Sequence, residues 1–297
     1  MEAGVNPFLE RYAKLGERVP ASITLKPTLR VNTLRIAEDK IIARLTKLGV
    51  TLSKIPWLKH GYTVEQSKFS LGASVEALLG YFYLQEAAAQ VPVEVLDPKP
   101  GETVLDCCAS PGGKTTQLAQ QMKNTGVIVS LEKKSPRLLS LRNNIERCGV
   151  ANAVVYHMDA VKAAQLGMKF DKILLDAPCS GNYAGDAGWF DKRNIDDIKK
   201  SAQFQRNLLQ VVTSLLKPDG VLVYSTCTLE PEENELNMQW AIDQLGIKLE
   251  PIPFPIGDAG LTAVFGKQLD KSVAHCKRFW PHKTNTEGFF IAKMRRK

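Results

Sequence analysis

Residues 106–116 read D-C-C-A-S-P-G-G-K-T-T and follow a short apolar segment at residues 103–105. The apolar segment predicts a strand over residues 103–107, and the two glycines predict a tight turn into a helix over residues 114–123. A strand, a glycine turn and a helix in this order form the first half of a βαβ unit. The stretch therefore indicates an α/β fold.

Strand and helix signals alternate regularly beyond this stretch. Alternation on this scale is typical of βαβ units in a mostly parallel sheet. The further elements are predicted as strands over residues 127–132, 153–157, 172–176, 221–225 and 289–292, and as helices over residues 135–148, 194–216 and 231–245.

The first ninety residues read as a smaller α+β unit. A strand is predicted over residues 29–34 and a helix over residues 39–48, while residues 81–89 are predicted to continue into a helix that enters the next domain. The punctuation P-K-P-G at residues 98–101 separates this unit from the alternating region. We therefore expect two domains, residues 1–90 and 91–297.

Composition argues against several classes of protein. The chain has 297 residues, of which 44% are hydrophobic and 24% charged, and no apolar run reaches the roughly 18 residues that span a bilayer. Residues 1–10 lack the basic and apolar regions of a secretion signal. Six cysteines without a C-x-x-C pair favour free thiols in a reducing cytoplasm. The four histidines show no ligand spacing, so we expect no metal.

The net charge of +8 is concentrated at the two ends of the chain. Residues 266–297 hold nine Lys/Arg against two acids, and residues 1–90 hold twelve Lys/Arg against eight acids. This distribution predicts a polyanion held against flanking surfaces. The alternative is a solvated charged tail, which we favour for residues 295–297 alone.

Gly112 and Gly113 open a helix directly after a strand, where backbone N–H groups face a polar or anionic ligand. A Walker A loop is disfavoured because Cys108 stands where that motif requires glycine, and G-x-G-x-x-G is absent. Glu132 ends the second strand, placed to accept hydrogen bonds from ribose hydroxyls, and Asp159 could bind an adenine amino group. Singly, each acid is more often a surface residue. Together, in order on successive strands, the two acids indicate a nucleoside site without a pyrophosphate loop, which suits S-adenosylmethionine.

Two cysteines stand just past apolar, strand-like runs. Cys179 lies in D-A-P-C-S-G at residues 176–181, and Cys227 lies in S-T-C-T at residues 225–228. Both positions are where an α/β sheet passes its chain to functional loops, so we expect two thiols at one edge and covalent chemistry. The alternative is that free cysteines are small buried hydrophobes. We expect Cys107, Cys148 and Cys276 to be buried residues of that kind.

Six motifs, taken together, resemble those of the NOL1/NOP2/Sun family of RNA cytosine-5 methyltransferases. They run in family order as R-V-N-T-L (residues 30–34), Y-L-Q-E-A-A-A (83–89), D-C-C-A-S-P-G-G-K-T-T, D-A-P-C-S-G, Y-S-T-C-T and G-F-F-I-A-K (288–293). D-A-P-C-S-G with S-T-C-T is a specific pair. The family loop usually reads C-A-A-P-G-G-K, and here Ser110 replaces the second alanine at a position expected to contribute backbone.

The resemblance implies a class I, Rossmann-like methyltransferase domain over residues 91–297, preceded by a small α+β RNA-binding domain. It implies Cys227 as nucleophile and Cys179 as the group that assists product release. Asp176 would hydrogen-bond the cytosine edge near nitrogen 3, and Lys114 would lie close to base and cofactor. The implied S-adenosylmethionine site comprises Cys108, Ala109, Ser110, Pro111, Gly112, Gly113, Lys114, Glu132, Arg137, Asp159 and Asp176.

Cytosine chemistry gives each thiol a purpose. Carbon 5 of cytosine is too weak a nucleophile to take a methyl group unaided, but a thiolate that adds to carbon 6 makes carbon 5 enamine-like. A base then removes the carbon 5 proton, and the thiolate is expelled. An ordinary thiol is only a few per cent ionised at pH 7, so a nucleophilic one needs positive charge or hydrogen bonds nearby.

The target cytosine must be unpaired or flipped, because a thiolate cannot reach a base inside a duplex. The basic ends, with Phe279 and Trp280 predicted to be exposed, suit backbone contacts and base stacking with RNA. DNA cytosine methyltransferases use the P-C cysteine as nucleophile, which would leave S-T-C-T without a role. A non-catalytic RNA-binding protein is a further alternative. Through the resemblance, tRNA is favoured over rRNA.

Overall fold

The computed structural model describes residues 6–186 and 188–296. Residues 1–5, which belong to the segment expected to lack a secretion signal, lie outside the described residues. Residue 297, which belongs to the expected charged tail, lies outside them as well. Within the described ranges, no helix combines the length and apolar character needed to cross a membrane.

The N-terminal part contains a small antiparallel sheet with strand order β2-β3-β1-β4. Its elements, with the helices around them, are α1 (Pro7–Lys14), β1 (Thr28–Val31), α2 (Glu38–Lys47), β2 (Thr51–Lys54), β3 (Gly61–Gln66), α3 (Val75–Leu78), β4 (Phe82–Leu84) and α4 (Ala87–Leu96), with a 3-10 turn at Leu71–Ala73.

The C-terminal part contains the alternating elements. They are β5 (Thr103–Asp106), α5 (Gly113–Gln121), β6 (Val127–Glu132), α6 (Ser135–Arg147), β7 (Ala153–His157), β8 (Phe170–Asp176), α7 (Trp189–Lys192), α8 (Ile195–Thr213), β9 (Leu216–Thr226), α9 (Glu235–Leu245), β10 (Ile247–Glu250), β11 (Asp258–Ala259), β12 (Ala263–Val264), β13 (Lys267–Gln268), β14 (Lys277–Phe279), α10 (Pro281–Thr284) and β15 (Phe289–Arg296), with 3-10 turns at Ala160–Leu166 and Lys271–His275.

The larger sheet has the order β7-β6-β5-β8-β9-β15-β14-β11, with β10 paired to β15. Strands β5 to β9 run parallel, as the alternating pattern predicts, whereas β15 and β14 are antiparallel to their neighbours. The carboxyl ends of β5, β8 and β9 therefore meet at one edge of the sheet. The α/β fold class expected from the sequence is confirmed.

Alternate residues of the strands fill two apolar cores, one on each face of the larger sheet. Leu105 belongs to the core that contains Leu208 of α8, and its neighbour Val104 belongs to the core that contains Val91 of α4 and Leu118 of α5. Helix α4 thus packs beneath the larger sheet although it directly follows the smaller one. The domain division at residue 90 stays a prediction.

The run at residues 81–89 leads into a helix, as the sequence predicts, but its first part is a strand. Residues Phe82–Leu84 form strand β4, which pairs with β1 in the register Leu29↔Leu84, and α4 begins at Ala87. Glu86 caps this helix, because its Oε2 accepts a hydrogen bond from the Ala89 N–H at 3.1 Å. The aromatic run reads equally as strand or helix, and pairing with β1 decides it.

Phe279 and Trp280 are buried, with 0% and 1% of their surfaces exposed, so the prediction that they stack on RNA is wrong. The Trp280 ring contacts the Tyr12 ring with centroids 5.9 Å apart, and the Arg278 guanidinium lies 4.8 Å from its centroid. Helix α1 covers this tryptophan. Packing from the opposite end of the chain makes the aromatic pair part of a core.

Much of the C-terminal positive charge is already paired with acids. Arg278 and Glu235 form an ion pair in which both side chains are fully buried. Lys283 bonds Glu17 and Asp258, and Lys293 and Arg295 contact Glu250. The buried Arg278 therefore offers no charge to a polyanion, contrary to expectation, and acids partly neutralise Lys283 and Lys293. Arg295, expected in a solvated tail, instead lies in β15 and bonds Glu250.

Candidate active site

Three loops meet where β5, β8 and β9 end. Lys114, at the start of α5, donates a hydrogen bond from Nζ to Asp176 Oδ2 at 2.7 Å, and Ser225 Oγ donates to Asp176 Oδ1 at 2.7 Å. Burial alone would lower the pKa of Lys114, but the charge and hydrogen bond of Asp176 outweigh burial and raise it. Lys114 is therefore a charged ammonium group at this edge.

The thiols of Cys179 and Cys227 lie side by side in this cluster. Their Sγ atoms are 2.9 Å apart, and the Cys227 N–H donates to Cys179 Sγ at 3.3 Å. Both residues are free cysteines of intermediate exposure. The hydrogen bond with Cys227, and then burial, raise the pKa of the Cys179 thiol well above its ordinary value. The raised pKa therefore favours Cys179 as the protonated partner of the pair.

Asn182 ties the Cys227 loop to the strand that follows it in the sheet. Its Nδ2 donates to the Cys227 carbonyl at 2.7 Å and to the Gly288 carbonyl at 3.2 Å. Phe289, next to Gly288, places its ring 5.6 Å from Lys114 Nζ. The terminal G-F-F motif is thus brought against the same site as the two cysteine motifs.

The glycine turn packs closely against α6. Gly112 has φ +108°, and a Cβ there would lie 3.2 Å from Leu141 Cδ1 and 3.4 Å from Asn144 Cβ. Before the turn, Asp106 accepts a hydrogen bond from Thr115 Oγ1 at 2.6 Å, and burial raises the pKa of Asp106 to about 6. At Gly112, the positive φ and the close approach of α6 therefore both require glycine.

A cavity of about 260 Å³ lies beside this turn, at the ends of β5, β6 and β7. Glu132 is buried and accepts a hydrogen bond from the Lys134 N–H at 2.7 Å, and Asp159 accepts one from the Val161 N–H at 3.2 Å. These two acids line the cavity together with apolar residues: Leu131, Met158, Ala160, Pro178, Phe204 and Leu208. The cavity thus combines apolar walls with two carboxylates and the cations Lys133, Lys134 and Arg137.

Arg137 clamps the glycine loop, although it also lines this cavity. Its Nη2 donates to the Ser110 carbonyl at 2.5 Å, while Ser110 Oγ donates to the Arg137 carbonyl at 2.9 Å. Its guanidinium lies 3.7 Å from Glu132 and is half exposed. Arg137 therefore holds the glycine loop through Ser110 and lies close enough to Glu132 to pair with its carboxylate.

A second cavity, of about 200 Å³, lies on the other side of the loop. Cys108 lines both cavities, and the second is also lined by Ala109, Ser110, Pro111, Gly113, Lys114 and Asp176. Tyr83, Leu84 and Gln85 complete it from the N-terminal part. These three residues belong to the motif Y-L-Q-E-A-A-A at residues 83–89 but were not predicted as site residues. The resemblance of that motif to the family was the one signal in the sequence that could have identified them.

Comparisons with known proteins agree with this geometry. Residues 93–295 match the family described as 16S rRNA methyltransferase RsmB/F, and residues 7–87 match the N-terminal domain of 16S rRNA methyltransferase RsmF. The chain is 38% identical to a methyltransferase homolog protein from Pyrococcus horikoshii, with a TM-score of 0.85 and coverage of 99% and 100% of the two chains. It is 30% identical to NSun6 from the same organism, solved with SFG, with a TM-score of 0.82 and coverage of 97% and 93%.

Curated relatives act on different RNAs. A human 28S rRNA (cytosine(4447)-C(5))-methyltransferase is 37% identical over 96% of this chain, and a Pyrococcus abyssi tRNA (cytosine(49)-C(5))-methyltransferase is 36% identical over 97% of it. The chain spans 36% of the human protein's length and 95% of the Pyrococcus protein's length. By these matches, as its motifs predicted, the chain belongs to the NOL1/NOP2/Sun family of RNA cytosine-5 methyltransferases, within the group described as RsmB/F.

Proposed function

We propose that this protein transfers a methyl group from S-adenosylmethionine to carbon 5 of a cytosine in RNA, through a covalent bond between Cys227 and the base. The observation that carries the proposal is the pair of thiols with Sγ atoms 2.9 Å apart. They lie beside the Lys114–Asp176 ion pair, at the same edge of the sheet as a cavity that has two carboxylates. The whole protein's activity is inferred from its family because the chain spans about a third of the first curated relatives.

The first cavity fits a nucleoside with a sulfonium group. Glu132 would accept hydrogen bonds from ribose hydroxyls and Asp159 from an adenine amino group, and the apolar walls would exclude water from the ring; the presence of both acids in the lining of one cavity supports this. When bound, S-adenosylmethionine would supply an electrophilic methyl group. The NSun6 relative solved with SFG, an S-adenosylmethionine analogue, supports this assignment.

Cys227 would act as the nucleophile and Cys179 as its hydrogen-bond donor. Addition of Cys227 Sγ to carbon 6 would form the S–C6 bond and move the C5–C6 π pair to carbon 5. Carbon 5 would then bond the methyl group as the methyl–sulfonium bond breaks and its electron pair stays on the cofactor sulfur. A base removes the carbon 5 proton, the C5–H pair restores the double bond, and Sγ leaves with the S–C6 pair. The raised pKa of Cys179 keeps its proton available to the departing sulfur.

Lys114 and Asp176 would orient the base. Asp176 accepts hydrogen bonds from Lys114 and Ser225, so its carboxylate is held in one position. Its place in the second cavity suits a hydrogen bond to the cytosine edge near nitrogen 3. The Lys114 ammonium group supplies positive charge beside the thiols and supports formation of a thiolate.

The N-terminal part would contact RNA next to the target base. Tyr83 and Leu84 line both the second cavity and a neighbouring one of about 330 Å³, which reaches Asn144 and Arg147. This continuous groove combines apolar side chains for stacking with an arginine for phosphate. We favour tRNA over rRNA because the family resemblance favours it and a relative that is 36% identical over 97% of this chain is named a tRNA methyltransferase, and we favour the cytoplasm because the cysteines are free thiols.

Methyl transfer to defined RNA fractions tests the proposal. We expect tritium from labelled S-adenosylmethionine in total tRNA, less in rRNA and none in single-stranded DNA, and bisulfite sequencing should map the product to cytosine carbon 5. Label in DNA alone would overturn the substrate class, and label in rRNA alone would overturn the preference for tRNA. Failure to bind labelled S-adenosylmethionine in equilibrium dialysis would favour a non-catalytic RNA-binding protein.

A further inference from the structure

Glu233 is a buried carboxylate directly behind the two cysteine loops. None of its surface is exposed, and burial raises its pKa to about 7. Its neighbours Glu230 and Glu235 have arginine partners, Arg11 and Arg278. Across the described residues, no cation pairs with Glu233. Its carboxylate oxygens instead accept hydrogen bonds from neutral groups of Ser180 and Gln205.

Those donors hold the loop that carries Cys179. The Ser180 N–H donates to Glu233 Oε2 at 3.2 Å, and Ser180 Oγ also donates to the carboxylate. Gln205 of α8 donates from Nε2 to Glu233 Oε2 at 2.6 Å and to the Pro178 carbonyl at 2.9 Å. The residues on both sides of Cys179 are thus fixed directly or through Gln205 by one carboxylate.

Ser180 links the same carboxylate to the loop that carries Cys227, and the main-chain carbonyl of Glu233 adds a second link. Ser180 Oγ lies 2.9 Å from Thr228 Oγ1, so the residues following the two cysteines contact each other through their hydroxyls. Tyr224, on β9 before the cysteine, donates from its hydroxyl to the Glu233 carbonyl at 2.6 Å. Glu233 therefore connects both thiol loops from a single buried point.

We propose that Glu233 is a positioning residue that holds the Cys179 thiol against Cys227 through Ser180 and Thr228, and so sets how fast the covalent protein–RNA bond is released. The inference rests on the proposed function. Release breaks the S–C6 bond, whose pair returns to Cys227 Sγ while the C5–H pair reforms the double bond. A displaced Cys179 would leave Cys227 free to add to the base but without its hydrogen-bond donor at the departure step.

The test compares Glu233→Ala with Glu233→Gln and the matched control Glu232→Ala. Glutamine preserves the network, because its carbonyl can accept from Ser180 N–H and Gln205 while its amide donates to Ser180 Oγ. Glu232 is a neighbouring carboxylate that bonds Arg11 and does not touch either thiol loop. All variants are measured as full chains with total tRNA and S-adenosylmethionine.

We expect Glu233→Ala to raise the steady-state fraction of denaturation-resistant protein–RNA adduct about tenfold, and to lower kcat about tenfold, while the rate of adduct formation stays within about threefold. Glu233→Gln and Glu232→Ala should behave as the wild type. Parallel loss of adduct formation and turnover in Glu233→Ala, or equal effects of alanine and glutamine, would overturn the inference. A wild type that labels neither tRNA nor rRNA would overturn the proposed function itself, and a wild type that labels rRNA alone requires the same comparison of variants on rRNA.

A second variant covers the case in which Glu233→Ala does not fold. Thr228→Val keeps the side-chain shape and removes the hydroxyl, which contacts Ser180 and also accepts a hydrogen bond from the Glu230 N–H at 3.2 Å. We expect adduct to accumulate in the same direction, by about threefold, with a thermal midpoint somewhat below that of the wild type because the Glu230 N–H loses its acceptor. An unchanged adduct fraction in a folded Thr228→Val protein would overturn the link between the two loops.

Discussion

The ion pair between Lys114 Nζ and Asp176 Oδ2, 2.7 Å long, joins the glycine loop to the end of β8. It therefore couples the loop beside the proposed cofactor cavity to the proposed site of the base. Because the two partners come from different motifs, neither motif alone has the complete arrangement.

Removing either charge should impair methyl transfer. Lys114→Met leaves Asp176 with only the Ser225 hydrogen bond, and Asp176→Asn removes the partner of a buried ammonium group. We expect kcat/KM for RNA to fall by about a hundredfold or more in each variant. Lys123→Met, an exposed lysine beyond α5, is the control and should retain wild-type kcat/KM. Wild-type kinetics in Asp176→Asn would contradict the assigned role.

The two cysteines should give opposite phenotypes. Cys227→Ala should abolish methyl transfer and any covalent complex with RNA, because carbon 5 is not activated without addition at carbon 6. Cys179→Ala should instead accumulate an adduct that survives denaturing electrophoresis. If Cys227→Ala still methylates RNA and Cys179→Ala does not, the two roles are reversed.

Asp106 should destabilise the fold as pH rises. Its pKa is about 6 in the folded protein against 3.8 ordinarily, so between these values the folded state binds more protons and its stability falls with increasing pH. Asp106→Asn does not titrate. Its free energy of unfolding relative to the wild type should rise by up to about 3 kcal/mol between pH 3.5 and pH 7.5, measured by urea unfolding.

Asp171 supplies the control of opposite sign. Burial alone would raise its pKa, but its hydrogen bonds to Lys217 and the Thr103 N–H lower it, so its stabilising contribution is present at neutral pH and is lost on acidification. Asp171→Asn should therefore be less stable than the wild type at pH 7.5, and the difference should shrink at low pH. The same direction of change in both variants would contradict the assignment of either carboxyl group.

Gly112→Ala should weaken cofactor binding. The substitution combines a φ of +108° with a Cβ 3.2 Å from Leu141, so the loop must shift away from α6. Calorimetric titration should show a Kd for S-adenosylmethionine raised about tenfold or more. Gly101→Ala is the matched control, since it also has a positive φ, +89°, but has open space around the new Cβ. An equal effect of both substitutions on Kd would assign the loss to backbone strain alone.

The meeting of the two thiols was predictable because each motif follows the carboxyl end of a strand, and β8 and β9 turn out to be neighbours. Parallel strands bring such ends to one edge. The alternating strands were predictable for the same reason, since their apolar runs are local features of the sequence.

Contacts between distant segments were not predictable. Trp280 follows a basic run that suggests exposure, yet Tyr12 of α1 covers its ring. The helix expected from residue 231 begins at Glu235, because the backbone of Asn234 is not helical, with φ −113° and ψ −101°. No local pattern reveals a partner that lies two hundred residues away.

The loop that carries Cys227 is enclosed by segments from both ends of the chain. Arg11 and Glu230 are 219 positions apart, and Asn182 and Gly288, joined by one hydrogen bond, are 106 apart. Such contacts form late in folding, because a long loop must close before they can be made. During synthesis, a ribosome-bound chain that has not yet exposed β15 would have both reactive thiols but no finished site, so nascent chains should not attack RNA.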